Sequence, residues 1–136
     1  MKLQLSHIAI ACPQIAQVAE KLKILSLSIT EMHEVPTEKV KAAMLPVEVS
    51  EHFRLELLEP TQTDSPISKF LSKRPQGGIH HVSFEVTHIE KWQTLLTQCG
   101  FEILPPGIRK AARGNALFIH PKSMGGVLVE LEEINS

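Results

Sequence analysis

The sequence is poor in the residue types that mark several large classes of protein. Only two of its 136 residues are cysteine, and Cys12 and Cys99 stand in no metal-binding or redox spacing, so neither a disulfide framework nor a zinc cluster is indicated. Aromatic residues make up 4% of the chain, and 14 Lys and Arg oppose 15 Asp and Glu. A near-neutral chain without a basic stripe or an aromatic series lacks the footprint of a nucleic-acid-binding protein.

Long hydrophobic runs are also missing. No apolar stretch approaches the roughly 20 residues that a membrane-spanning helix needs, and the N-terminal sequence MKLQLSHIAIACP alternates in polarity, unlike a signal peptide. We therefore expect a soluble, cytoplasmic protein without membrane contact, whose two reduced cysteines are buried as small hydrophobic residues. With 43% hydrophobic residues, a chain of this length can bury about two-thirds of its unfolded surface.

An internal duplication organises the chain. Residues 6–11 predict a strand followed by a helix over 15–25, and residues 80–86 repeat this order with a helix over 89–99 that ends before Gly100. Three further strand-like runs follow each helix, at 28–34, 40–47 and 53–58 in the first half and at 102–104, 115–120 and 127–131 in the second. Each half is therefore predicted to be a βαβββ module.

The segment between the halves has the composition of a linker. Residues 60–78 are rich in proline and glycine around a short helical piece near 67–71. We predict one domain over residues 1–136, with module one at about 1–60, the linker at about 61–77 and module two at about 78–136. Because one such module is too small to fold alone, the predicted fold class is α+β, with two modules in tandem forming a curved eight-stranded cup.

Four ionisable residues repeat in register with the duplication. His81 lies 74 positions after His7, and Glu130 lies 74 positions after Glu56. Residues two apart in a strand share a face, which places all four on faces that the apolar core residues do not occupy. A single strand-end His or Glu is usually an ordinary rim residue, and the repeat is what favours ligation. Two His and two carboxylates suit a divalent metal ion with coordination positions left open, which predicts catalysis.

Short motifs along nearly the whole chain carry a family resemblance. They are SHIAIA at 6–11, LELLEP at 55–60, SPISKFL at 65–71, GIHHV at 78–82, and HPKS at 120–123 followed by GGVLVEL at 125–131. Together they closely resemble the methylmalonyl-CoA epimerases of the vicinal oxygen chelate superfamily, which also contains glyoxalase I, extradiol dioxygenases and drug-binding resistance proteins. The fold alone would not select among these activities, whereas the linker and HPKS motifs point to the epimerases.

The resemblance implies an activity and a cofactor. The implied reaction interconverts (2R)- and (2S)-methylmalonyl-CoA by abstraction of the α-proton through a metal-stabilised enolate. The implied cofactor is one divalent ion, cobalt, nickel, manganese or zinc, held by His7, Glu56, His81 and Glu130. Glu130 is also implied as one of the two proton-transfer residues, and relatives often form homodimers.

Two further positions follow from the resemblance. Lys122 and Ser123 lie where the carboxylate or the phosphates of an acyl-CoA substrate would be met. The second proton-transfer residue of the family is a Glu on the third strand, and alignment through residues 45–47 puts Ala42 at that position. Glu38 and Lys41 are nearby, but Lys41 alternates to the opposite face from Ala42, so the second residue stays unassigned.

Other functions on the same fold remain open. One is a glyoxalase I-like lactoylglutathione lyase, which acts on a hemithioacetal, and another is a metal-free resistance protein that sequesters a small molecule. An iron dioxygenase needs only two His and one carboxylate, so a set of four ligands disfavours it. A metal-free binding module would lose ligand residues freely, and the presence of all four argues against that function.

Overall fold

The computed structural model describes residues 1–47, 50–111 and 113–134. Within these residues lie eight strands and three α-helices in the order β1 (Leu3–Ala11), α1 (Ile15–Leu22), β2 (Glu31–Val35), β3 (Val40–Val47), β4 (Ser50–Pro60), α2 (Pro66–Lys73), β5 (Gly78–Val86), α3 (Ile89–Gln98), β6 (Arg109–Lys110), β7 (Gly114–Ile119) and β8 (Leu128–Ile134). The chain divides into two compact units, the N-terminal unit His7–His80 and the C-terminal unit, which joins Met1–Ser6 to His81–Ser136.

The N-terminal unit has its strands in the order β2-β3-β4-β1. β1 pairs in parallel with β4, while β3 pairs antiparallel with both β2 and β4. The apolar stripe of α1 packs on one face of these strands, where Ile15, Leu45 and Leu57 are buried. The backbone N–H of Ile15 donates to Glu59 Oε1 at 2.8 Å, which satisfies one of the donors that the first turn of a helix leaves unpaired.

The opposite face of the same strands is covered by α2. Ser65 caps this helix by accepting a hydrogen bond from the Ile67 N–H at 3.1 Å, and Pro66 occupies the first helical turn, where its missing N–H costs nothing. Ile67 is buried against β1, β3 and β4, with Phe70 packed beside it. Both faces of the N-terminal unit are therefore apolar over part of their area.

The C-terminal unit repeats this arrangement with one helix fewer. β5 pairs in parallel with β8, and β7 pairs antiparallel with β8 and β6. α3 packs on one face, where Ile89, Leu117 and Leu131 are buried and Trp92 is packed beside them.

The strand predicted over residues 102–104 is wrong. Ile103 forms only an isolated bridge with Ile119, and the sixth strand is Arg109–Lys110. The segment still follows β7, since the Leu104 N–H donates to the Phe118 carbonyl at 2.9 Å. Residues 105 and 106 are both proline, and because proline has no N–H the ladder cannot continue through them.

The other predicted elements differ only at their ends. β3 has the predicted bounds, while β2 begins three residues later than residue 28 and the first helix ends in a short 3₁₀ turn over Lys23–Leu25. Cys12 is buried as predicted, but Cys99 is exposed just after the last turn of α3. The longest described helix has ten residues, and no helix in the described part of the chain is long and apolar enough to cross a membrane.

Candidate active site

One His–Glu pair lies in the N-terminal unit. His7 on β1 is 3% exposed and Glu56 on β4 is 9% exposed. His7 Nε2 is 3.6 Å from Glu56 Oε1. Ala9 stands directly opposite Glu56 in the parallel ladder, so the two ionisable side chains are diagonal neighbours on one face of adjacent strands.

A second pair lies in the C-terminal unit. His81 on β5 is 6% exposed, and its Nε2 is 3.9 Å from Glu130 Oε1 on β8. The ring of Phe118 meets the imidazole edge-on, with 5.9 Å between centroids, an arrangement that restricts the rotation of His81. Ser83 stands directly opposite Glu130 in the parallel ladder.

The two pairs have the same strand register. In each unit the Glu faces the residue two positions after the His, Ala9 in one ladder and Ser83 in the other. The antiparallel neighbours of the two Glu residues, Met44 and Phe118, also correspond across the repeat. The duplication inferred from sequence spacing is therefore a duplication of strand pairing.

Each pair fits a shared metal ion. The distances of 3.6 and 3.9 Å exceed those of ordinary hydrogen bonds. Two ligand atoms bound about 2.0–2.2 Å from one ion lie about 3–4 Å apart. The imidazole nitrogen and carboxylate oxygen donors suit borderline-hard divalent ions. His7, Glu56, His81 and Glu130 are accordingly all candidate metal ligands.

Ala42 lies in an apolar environment. It is 1% exposed, and Leu58 and Ile67 belong to the same buried cluster. Ala43, the next residue of β3, belongs instead to the cluster that packs on α1, so Lys41 is on the face opposite Ala42, as predicted. A methyl group cannot transfer a proton, and neither Leu58 nor Ile67 supplies a substitute.

A polar cluster in the C-terminal unit was not predicted. Arg113 Nη2 donates to Glu132 Oε1 at 2.8 Å and to Ser6 Oγ at 3.4 Å, and it lies 3.6 Å from Glu85 Oε1. Glu132 is 6% exposed. Strand alternation places Glu132 on the same face as Glu130, and this was the available signal for it. The equivalent position of the first module is the apolar Leu58, which instead favoured a core residue.

Lys122 and Ser123 lie in a 3₁₀ turn of the C-terminal unit, over Pro121–Ser123. Lys122 Nζ is 2.7 Å from Glu102 Oε2, and Ser123 Oγ accepts a hydrogen bond from the Glu102 N–H at 2.9 Å. The hydrogen bond from Lys122 holds the pKa of the Glu102 carboxyl below its usual range. Both residues therefore attach the turn to Glu102, and their predicted contact with substrate stays a prediction.

Comparison with known proteins first identifies the superfamily to which this chain belongs. Residues 6–118 match the Glyoxalase/Bleomycin resistance protein/Dioxygenase superfamily, and the chain belongs to it. The mitochondrial methylmalonyl-CoA epimerase of Dictyostelium discoideum is 38% identical over 133 residues, which cover 96% of this chain and 78% of that protein. The ethylmalonyl-CoA/methylmalonyl-CoA epimerase of Cereibacter sphaeroides is 36% identical over 134 residues, which cover 96% of this chain and 98% of that protein.

Solved structures agree with these relatives. A methylmalonyl-CoA epimerase in complex with methylmalonyl-CoA and NH4+ superimposes with a TM-score of 0.86 at 27% identity, covering 100% of this chain and 97% of that chain. The predicted α+β fold class with two βαβββ modules is thereby confirmed as the glyoxalase fold.

Proposed function

We propose that this chain is a metal-dependent methylmalonyl-CoA epimerase. The observation that carries the proposal is the presence of two His–Glu pairs in the same strand register, in a chain that aligns over 96% of its length with epimerases. The two histidines and two carboxylates at duplicated positions form a set of metal-ligand donors. The substrate class is inferred from the relatives.

We propose that His7, Glu56, His81 and Glu130 together hold one divalent metal ion. The ion would be cobalt, nickel, manganese or zinc. Support comes from the equivalence of the two pairs, which repeat the same donors at the same register. When bound, such an ion supplies positive charge that stabilises the negative charge developing on the oxygens of the deprotonated substrate.

Glu130 is proposed to transfer the proton on one face of the substrate. The hydrogen between a thioester and a carboxylate is only weakly acidic, so its abstraction needs a general base held next to it, and a positioned carboxylate can take this role. The Glu130 side chain is 12% exposed, which leaves little water to compete for the proton. Epimerisation also needs proton return on the other face, and because Ala42 cannot provide it, only one of the two residues is assigned.

Other parts of the proposal concern binding and assembly. Lys122 and Ser123 would meet the carboxylate or phosphates of the acyl-CoA, and one domain would span residues 1–136. A cytoplasmic location and a homodimer stay predictions. Light scattering coupled to size-exclusion chromatography tests the dimer, since a dimer of the 15.1 kDa chain would have twice this mass.

The decisive experiment follows deuterium at the α-carbon of methylmalonyl-CoA in heavy water. We expect exchange with metal-loaded protein, loss of exchange after chelation, and recovery when the metal is restored. Absence of deuterium exchange with metal-loaded protein would contradict the epimerase proposal. Exchange that persists after elemental analysis shows no metal would contradict the metal requirement alone. Isomerisation of the hemithioacetal of methylglyoxal and glutathione would favour the glyoxalase alternative.

A further inference from the structure

Ser83 is a fully buried residue whose hydroxyl has no hydrogen-bond partner among the described residues. It is 0% exposed, and its Oγ makes no hydrogen bond to any part of the chain that the structure describes. Ser65, also fully buried, contrasts with it, because its Oγ donates to the Glu38 carbonyl and accepts from the Ile67 N–H. A buried polar atom without a partner destabilises a fold and is uncommon enough to need a reason.

The hydroxyl lies on the strand face that carries the His–Glu pair. Ser83 is two residues after His81 on β5, so both side chains point to the same side, and it stands directly opposite Glu130 on β8. Of the alternate residues, Val86 belongs to the buried cluster beneath α3 and Phe84 packs against it. The Ser83 side chain therefore lies on the strand face of the candidate ligands His81 and Glu130 and points away from the cluster beneath α3.

Packing does not require a hydroxyl at this position. The equivalent residue of the first module is Ala9, 74 positions earlier, and Ala9 is buried in an apolar cluster with Ile67. The same strand position is thus filled by a methyl group in one module and by a hydroxymethyl group in the other. The extra oxygen of Ser83 raises the cost of burial without adding a hydrogen bond to the described part of the chain, which points to an acceptor that arrives with a ligand.

We propose that the Ser83 hydroxyl is a substrate-binding group that donates a hydrogen bond to an oxygen of the acyl moiety. This inference rests on the proposed function, because the acyl moiety of a malonyl-type thioester offers carbonyl and carboxylate oxygens as acceptors. Binding would supply the partner that the free protein lacks, and a site built to donate to an acyl oxygen disfavours ligands without one. Ser83 would thereby help to distinguish an acyl-CoA from CoA itself.

The test compares the metal-loaded wild type with Ser83→Ala by calorimetric titration. The two ligands are methylmalonyl-CoA, used as its equilibrium mixture of epimers, and CoA, which has no acyl group. Loss of one hydrogen bond should weaken the affinity of Ser83→Ala for methylmalonyl-CoA by about five- to tenfold and leave its affinity for CoA unchanged. The Tm of the free protein should stay the same or rise, because the variant buries no unpaired hydroxyl.

Ser65→Ala is the matched control, a buried serine that caps α2 and takes no part in the candidate site. Its loss of two hydrogen bonds should lower the Tm while the affinities for both ligands are kept. The inference is overturned if Ser83→Ala binds methylmalonyl-CoA like the wild type, if its affinity for CoA falls equally, or if its Tm drops as in Ser65→Ala. Failure of the wild type itself to bind methylmalonyl-CoA would instead overturn the proposed function.

Discussion

At the scale of single residues, substitution of His81 is the most direct test of the proposed metal site. We expect His81→Ala to abolish uptake of the divalent ion, because the substitution removes one of two imidazole donors and also the edge contact with Phe118. Elemental analysis of protein purified with added metal measures the stoichiometry. His33→Ala, which changes an exposed residue of β2, should keep full occupancy. Full occupancy in His81→Ala would mean that the ligand set is wrong.

Arg113 allows a prediction about stability. Arg113→Ala removes the 2.8 Å partner of the buried Glu132 carboxylate, and we expect the free energy of unfolding to fall by about 1–3 kcal/mol, since Arg113 is itself partly exposed. Urea denaturation measures it. Lys23→Ala, which breaks an exposed pair with Glu20, should cost less than about 0.5 kcal/mol. Equal effects of the two substitutions would argue that the Arg113 pair contributes nothing through burial.

The two cysteines should differ in reactivity. Burial, aided by the negative charge of Glu59, raises the pKa of the Cys12 thiol to about 11 from an ordinary 9.0, and the thiolate is the reactive form. At pH 8 a chromogenic disulfide should titrate one thiol in native protein, Cys99, and two in denaturant. Native Cys99→Ser should titrate none, and rapid reaction of Cys12 in that variant would contradict its burial.

The raised pKa of Cys12 also fixes a direction for stability against pH. Between about pH 9 and 11 the unfolded chain has lost the Cys12 proton while the folded chain keeps it. The contribution of this thiol to stability is therefore present below pH 9 and is lost as the pH rises through that window.

The sequence contains a signal for residues whose chemistry and strand alternation repeat. His7, Glu56, His81 and Glu130 carry their own signal, because ionisable residues recurring at a fixed spacing on strands share a face. The partnership of Arg113 with Glu132 carries no such signal. Its geometry depends on a loop conformation that local sequence does not dictate.

At the scale of elements, the connection between α2 and β5 depends on Gly77. This residue has a φ of +88°, and a Cβ placed on it would lie 2.3 Å from the Ala11 carbonyl oxygen. We expect Gly77→Ala to cost about 2–4 kcal/mol, combining the left-handed conformation with a backbone clash. Thermal or urea unfolding measures it.

Gly100 provides the control for that substitution. Its φ of +82° is similar, but no non-neighbouring atom of residues 1–47, 50–111 and 113–134 lies within 4 Å of a Cβ placed there. Gly100→Ala should therefore cost only the conformational part, about 1 kcal/mol. If Gly77→Ala proved no more damaging than Gly100→Ala, the close approach of the connection to β1 would be contradicted.

The elements also show where periodicity stops being informative. The β3 strand was predicted with its observed bounds because an apolar run between turns, interrupted here only by Lys41, has few alternatives. The run at residues 102–104 has strand composition too, yet the proline pair that follows leaves only one bridge, from Ile103. Whether a segment pairs with the edge of a sheet depends on which of its backbone N–H and carbonyl groups are available. A short apolar run does not carry this information.

At the scale of the whole molecule, two copies of one module have diverged in chemistry. In the first, the positions near the His–Glu pair are Ala9, Ala11 and Leu58, and they pack against α2. In the second, the equivalent positions are Ser83, Glu85 and Glu132. The spacing of 74 residues predicted that both modules carry a His–Glu pair in the same register. It could not predict in which module a helix would cover the neighbouring positions and in which these positions would be polar.

The parallel pairing of β1 with β4 and of β5 with β8 has a kinetic consequence. Each His–Glu pair joins residues 49 positions apart, with a helix and two strands in between, and contacts of such separation form slowly because loop closure comes first. We expect both pairs to be completed late in folding, after the transition state. On the proposed ligand set, a bound ion should then slow unfolding measured by stopped flow while leaving the refolding rate unchanged. Metal in the culture medium would govern how long the finished protein survives rather than how quickly it is made.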